Sequence, residues 1–229
     1  MSRTAIAPSP NGFTRWIAGV LLLGACAAGC ARNPATGQLE LSLVSEGQEV
    51  ALGKQSDVAV QSEYGVYKDA GLAAYVDSVG QALAKRSERP DLEWHFRVLD
   101  SPVVNAFALP GGYIYVTRGL LSVMNSEAQL AAVIGHEIGH VTARHGARQL
   151  TRATLGQVGL AVGGILSKDI ARYGSLAAQG LTLLFLKYSR DDENQADELG
   201  VRYATRANWD PREMPETFAT LKAVSERGP

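Results

Sequence analysis

Cysteine is scarce: the 229 residues contain two, Cys26 and Cys30, both within the first 30 positions. If the chain is cut at Cys30, no thiol is left for a disulfide, and a cysteine-ligated metal site in the remaining chain is excluded. Histidine is nearly as scarce, with four residues, His95, His136, His140 and His145. An excess of one charge is also missing. The 22 basic and 23 acidic residues give a formal net charge of −1, and removal of residues 1–29, which hold two arginines and no acids, takes it to −3; neither value points to a nucleic-acid partner. There is no internal repeat, no low-complexity tract and no apolar run that reaches the ~20 residues of a confident transmembrane helix. The remaining two hundred or so residues have ordinary apolar content, enough for one domain with a real core.

Two of the four histidines fall in one pattern. His136-Glu137-Ile138-Gly139-His140 matches HExxH within residues 126–146. Ser126 with Gln129 three residues on resembles a capping box, and Leu130, Ile134, Ile138 and Val141 recur at helical spacing, so this stretch is expected to be a helix with a core-facing stripe. At ~100° per residue the two histidines lie about 40° apart and roughly 6 Å apart along the axis, so both imidazoles can reach one ion at about 2 Å. Glu137 projects between the histidine stripe and the apolar stripe. From there its carboxylate can take a proton from a water whose pKa zinc brings down towards ~7. The spacing suits metal-assisted hydrolysis. The competing readings are a core helix whose histidines are satisfied by backbone carbonyls, and a metal-binding module without turnover, which leaves Glu137 without a role.

Zinc needs a third protein ligand. His145 sits about 140° round the helix from His140 and cannot close the same site unless the helix ends first. The continuation HExxHxxGxxH is absent, because Ala143 and Gly146 occupy the places of its glycine and third histidine. A carboxylate or His95 remains. His95 belongs to residues 93–99, where Trp94, Phe96 and Val98 alternate with Glu93, His95 and Arg97 as in a half-buried strand, which turns His95 away from the apolar face as a solvated or edge histidine. Further on, Glu193, Ala196, Asp197 and Gly200 fall within about 100° of one another on a helical pattern. Ala196 and Gly200 would let this helix approach the motif helix closely near Gly139 and bring Glu193 to the metal. Asp197, one turn on, would orient a ligand histidine. A solvated acidic helix is the plain alternative.

Along the chain, Arg3 and Arg15 precede an apolar run, residues 16–28, that ends in small residues, the layout of a secretory signal. Ala27-Ala28-Gly29-Cys30 resembles a bacterial lipoprotein cleavage box, with Leu23-Gly24-Ala25-Cys26 as a competing match and an ordinary signal cut after Ala27 or Ala28 as the alternative. Residues 1–29 are therefore expected as the signal, Cys30 as the acylated residue, residues 30–44 as a tether and residues 45–229 as the domain. Helices are expected from Ser45 to about Tyr64 and from about Asp69 to Lys85. Two short strand-like runs, residues 105–109 and 113–116, flank a turn at Pro110-Gly111-Gly112, so a small sheet precedes the motif helix. Its unpaired edge, beginning Asn105, Ala106 and Phe107, is the expected substrate-binding segment, aligning an extended peptide by strand addition. Residues 181–186 are expected to start an apolar helix that runs on into the acidic one. Residues 147–190, apolar and interrupted by glycines, are a candidate lid, with a packing hairpin or a membrane-surface contact as the alternative.

Residues 105–121, His136 to His140, and Arg190 with Glu193-x-x-Ala196-Asp197 together resemble the gluzincin family of CAAX-prenyl-protease-type peptidases, in particular its bacterial periplasmic lipoprotein branch. The resemblance implies an α+β, zincin-like metallopeptidase domain, mostly helical with a small sheet before the HExxH helix. It also implies one Zn2+ per chain on His136, His140 and Glu193, Glu137 as general base, and quality control of unfolded or misassembled envelope proteins. The implied location is the periplasm, with a lipid anchor at Cys30 in the outer membrane. A zinc-stabilised chaperone or assembly factor without turnover is the rival function. Tyr188, Arg190 and His145 are the candidates for stabilising the oxyanion. Longer members of that branch often continue into a further His-Pro segment and helical repeats, whereas this sequence stops at Pro229, so a regulatory histidine and a docking domain are not assumed.

Overall fold

A computed structural model describes residues 30–162 and 187–227. A short hairpin, β1 (Cys30–Arg32) and β2 (Leu39–Leu41), comes first. Helix α1 (Glu46–Tyr64) starts at Ser45, where both bonds of a capping box form: the Gln48 N–H donates to Ser45 Oγ at 3.3 Å and the Ser45 N–H to Gln48 Oε1 at 2.8 Å. Helix α2 (Ala70–Ala84) is capped by Asp69 and buries Val76, Val79 and Leu83.

Three strands follow, β3 (His95–Leu99), β4 (Ala106–Leu109) and β5 (Tyr113–Thr117). The order is β3-β5-β4, with β5 parallel to β3 and antiparallel to β4. Gly111 and Gly112 make the β4–β5 turn with φ of 79° and 95°, a region that L side chains rarely enter. The central strand β5 is buried on both faces. Ile114 and Val116 join α2 and the motif helix in the main core, while Tyr113 and Tyr115 pack with Val60, Leu99 and Leu109 under α1.

Beyond a single turn, α3 (Arg118–Leu121), the motif helix α4 (Glu127–Thr142) starts at Ser126, whose Oγ accepts from the Gln129 N–H at 3.1 Å. Its Leu130, Ile134, Ile138 and Val141 are buried as the periodicity requires. Removing a side chain such as Ile134 or Ile138 from water contributes about 1.5–3 kcal/mol, so this stripe is a principal anchor of the helix. Helices α5 (His145–Val162), α6 (Arg190–Arg206) and α7 (Glu213–Arg227) complete the described residues. The architecture is the α+β, mostly helical one with a small sheet before the motif helix.

Two segments differ from the sequence expectation, and a third lies partly outside the described residues. Residues 30–44 are not a bare tether: Asn33 is buried and donates to the Ala143 carbonyl, Glu40 pairs twice with Arg148 Nη2, and the Leu43 N–H donates to Thr151. These bonds dock the hairpin on the end of α4 and on α5. Residues 187–189 are not helical, so the acidic helix is not one unbroken run with residues 181–186, themselves outside the described residues. It begins at Arg190, because Ser189 and Asp192 form a reciprocal capping box that fixes the start. Of the candidate lid, residues 147–162 belong to α5 and residues 163–186 lie outside the described residues.

Helices α4 and α6 meet through small residues. A Cβ added at Gly200 would come within 2.8 Å of the His136 backbone nitrogen and 2.9 Å of Met214 Cε; one at Gly139 would come within 3.0 Å of the Ala196 carbonyl oxygen. This is the close approach expected from Ala196 and Gly200. Gly200→Ala should therefore lower stability by about 1–3 kcal/mol, the cost of overpacking. Gly156→Ala, exposed on α5 with nothing within 4 Å of the added methyl, should raise it by up to ~1 kcal/mol. Urea unfolding of both variants checks this; a wild-type midpoint for Gly200→Ala contradicts it.

Candidate metal centre and cleft

Because α6 lies against α4, the carboxylate of Glu193 reaches the motif histidines. Glu193 Oε2 is 3.4 Å from His136 Nε2 and 3.8 Å from His140 Nε2, and the two Nε2 atoms are 3.0 Å apart. Ligands about 2.0–2.1 Å from a tetrahedral zinc lie roughly 3.3 Å from one another, so two imidazole nitrogens and one carboxylate oxygen with these separations fit such an ion. Among the described residues this is the group of histidines and acids that can hold a metal. His95 is elsewhere, stacked on Tyr113 at 4.4 Å with its Nε2 3.6 Å from Glu93.

Each motif histidine is oriented through its other nitrogen. His136 Nδ1 is 2.8 Å from Asp197 Oδ1, the contact expected of Asp197. His140 Nδ1 is 2.8 Å from His145 Nδ1. His145 gets there because α4 ends at Thr142 and Arg144 takes a left-handed φ of 56°, reversing the chain before α5. The reversal is held in place. The carbonyls of Val141 and Ala143 at the helix end accept from Arg89 and Asn33, both at 3.1 Å, and the Arg144 guanidinium donates to Glu49 Oε2 at 2.9 Å and to the Val44 carbonyl at 2.7 Å. Sequence reasoning missed this use of His145: it requires the helix to end before Arg144, and no local residue announces that end.

The other candidates divide. Asn105 and Ala106 line a cleft of about 340 Å³ that opens beside His136 and Glu137, walled by Val104, Val133, Met214 and Leu221 and with Thr217 as a polar neighbour. Phe107 does not line it. Side chains alternate along a strand, so Ala106 and Ala108 face the main core and cleft, while Phe107 stacks on Tyr115 at 4.9 Å on the opposite face. The Thr117 N–H donates to the Asn105 carbonyl, so in the antiparallel register Ala106 and Ala108 turn their backbone groups to the edge of β4 that no strand among the described residues covers. The wall from α7 had no motif to announce it. Tyr188 stacks on His140 at 4.1 Å, with burial pushing its hydroxyl pKa up; Arg190 is exposed at the first turn of α6; His145 is fully buried, both nitrogens engaged.

Burial and charge split the titrations. Glu137, 9 % exposed, is pushed up to about 7, chiefly by burial and further by Glu193, against the opposing pull of His136 and of the hydrogen bond from the Ala108 N–H. Burial disfavours the charged form of His136, but bonds to Asp197 and Glu193 and the charge of Glu137 outweigh it and hold its pKa at about 10. Burial, then the neighbouring His136 and His145, drives His140 down to about 2. At neutral pH His136 therefore carries a proton that a cation must displace, and His140 does not. Between pH 7 and 9, one proton should leave per zinc ion bound, so affinity should rise about tenfold per pH unit; Asp197→Asn, which lowers the His136 pKa, should flatten the slope. Competition with a chromophoric chelator measures this. Affinity independent of pH over that window contradicts the assignment of the proton to His136.

Known proteins resemble this chain over most of its length. It is 31 % identical over 189 residues to the beta-barrel assembly-enhancing protease of Escherichia coli (strain K12), covering 79 % of this chain and 39 % of that protein. It is 32 % identical over 203 residues to the mitochondrial metalloendopeptidase OMA1 of Schizosaccharomyces pombe, covering 83 % and 57 %, and 30 % identical over 185 residues to OMA1 of Arabidopsis thaliana, covering 81 % and 36 %. The chain thus spans less than two thirds of each of these relatives. Residues 71–225, more than half of the chain, match peptidase family M48 and contain the HExxH helix, the acidic helix and the cleft between them. The chain belongs to peptidase family M48, a family of metallopeptidases.

Proposed function

We propose that this protein is a zinc-dependent endopeptidase that hydrolyses peptide bonds of unfolded or misassembled cell-envelope proteins. The observation that carries the reading is the convergence of His136 Nε2, His140 Nε2 and Glu193 Oε2 within 3.0–3.8 Å of one another, with the buried carboxylate of Glu137 beside them. His136, His140 and Glu193 would hold the zinc, which when bound supplies a Lewis acid for the peptide carbonyl and makes a water acidic enough to lose a proton near neutral pH.

The chain's own groups do the rest. Glu137, with its pKa at about 7, is matched to taking a proton from the attacking water at a carboxylate oxygen and returning it to the amine that leaves. The open edge of β4 offers backbone groups of Ala106 to an extended peptide, which favours unfolded chains and gives little dependence on their sequence. The cleft lined by Val104, Val133, Met214 and Leu221 takes an apolar side chain of that peptide, because a charged one would lose hydration there without a partner. Asn105 lines the same cleft, within reach of a bound peptide.

Relatives named beta-barrel assembly-enhancing proteases support the choice of envelope proteins as substrates. The signal-like residues 1–29 and the box ending at Cys30 support export to the periplasm and a lipid anchor in the outer membrane. Among the described residues, no helix is long and apolar enough to cross a membrane.

Chelator-sensitive cleavage of an unfolded outer-membrane protein separates this reading from a zinc-stabilised chaperone. Glu137→Gln should keep fold and zinc and lose at least ~10²-fold in turnover, the scale of general acid–base catalysis. Glu193→Ala should lose stoichiometric zinc. Near-normal cleavage by Glu137→Gln, or full zinc content in Glu193→Ala, would sink the respective assignment.

A further inference from the structure

His145 lies behind the site and has no access to the cleft: it is 0 % exposed, its Nδ1 is 2.8 Å from His140 Nδ1, and its Nε2 is 2.9 Å from Gln195 Oε1. Two neutral rings that face each other nitrogen to nitrogen can place one proton between them. The line Gln195–His145–His140 therefore admits two arrangements. With the Gln195 oxygen accepting, His145 carries its proton on Nε2 and accepts at Nδ1. His140 then donates from Nδ1 and turns the lone pair of Nε2 towards His136 and Glu193. In the reverse arrangement His140 holds its proton on Nε2, the atom that a cation requires.

The surroundings favour the first arrangement. Asp192 Oδ1 lies 3.7 Å from His145 Nε2, so a carboxylate faces the nitrogen that would bear the hydrogen. That carboxylate is fixed by the Ser189 N–H and hydroxyl and by Arg148, and Arg148 is itself held by Glu40 of the N-terminal hairpin. The Tyr188 ring lies flat on His140 at 4.1 Å, an interplanar angle of 18°, which holds the plane of the imidazole.

We propose that Gln195 and His145 are a positioning pair that sets the tautomer of His140, presenting its Nε2 lone pair to the metal. The inference rests on the reading of His140 as a ligand. Neither residue touches substrate or the reacting atoms. Their effect is transmitted through one hydrogen bond, as outer partners of ligating histidines act. A purely structural role for His145 would be moved by loss of packing; the proton position on His140 would not be.

The test uses the full chain, stripped of metal, with ring 15N NMR at neutral pH and zinc titration by chelator competition. In the wild type His140 should show the Nδ1–H tautomer. His145→Leu keeps bulk but offers no acceptor, and should shift His140 towards Nε2–H and weaken zinc binding 10- to 100-fold. If His145→Leu does not fold, Gln195→Leu at a half-buried position reads the same relay, and Gln195→Glu, which keeps the accepting oxygen, should restore the wild-type tautomer and affinity. An Nε2–H His140 in the wild type, or folded leucine variants with unchanged tautomer and affinity, would overturn the proposal. An Nδ1–H His140 in a protein that takes up no zinc supports the relay and counts against the metal reading alone.

Discussion

The contact between α4 and α6 through Gly135, Gly139, Ala196 and Gly200 is the constraint on which the site depends. Any larger side chain at Gly200 meets the backbone of His136, and any at Gly139 meets the backbone of Ala196. The two helices therefore lie backbone to backbone where one carries the histidines and the other the acids. A carboxylate has a short reach, and Glu193 and Asp197 can address different nitrogens of one ring only because the helix carrying them is this close. The stripe of Leu130, Ile134 and Ile138 on the other side presses α4 onto the sheet, so packing fixes the histidines from behind while the seam fixes the acids in front.

The second support is at the end of α4. Its last carbonyls are taken by Arg89 and Asn33, and Arg144 is pinned to Glu49 and Val44, so residues from the hairpin, α1 and the α2–β3 loop meet at one helix end. This sharp reversal is what carries His145 from the wrong side of an ideal helix to the back of His140. Cationic guanidinium groups at the carbonyl end of a helix also oppose its dipole favourably. The same arrangement gives the N-terminal hairpin a physical link to the metal centre, through Glu40, Arg148 and Asp192.

What the sequence made legible was local or periodic. The α4 helix, its cap at Ser126, and the helices beginning after Ser45 and Asp69 follow from residues within one or two turns of each other, and a small-residue face beside Glu193 predicted its close approach. What was not legible depends on partners far along the chain. Nothing near residues 30–44 announces that Glu40 will find Arg148, 108 positions away, so the stretch read as a tether. The break at Arg144 needs Glu49 and Val44, and the cleft wall from α7 follows no motif. One misreading was avoidable: Ser189 with Asp192 is a helix start of the usual S-x-x-D kind.

The electrostatics follow from the same packing. Burial alone would leave both motif histidines neutral, yet Asp197 and Glu193 hold a second proton on His136, while burial and the neighbouring His136 and His145 keep His140 neutral. Two chemically identical side chains one turn apart thus enter metal binding from opposite protonation states. The most direct measurement of the central claim is a zinc-edge anomalous difference map from crystals of the zinc-loaded protein. The structure predicts one strong peak within about 2.0–2.2 Å of His136 Nε2, His140 Nε2 and a Glu193 carboxylate oxygen. A peak coordinated by Asp197 or His145 in place of any of these three would contradict it.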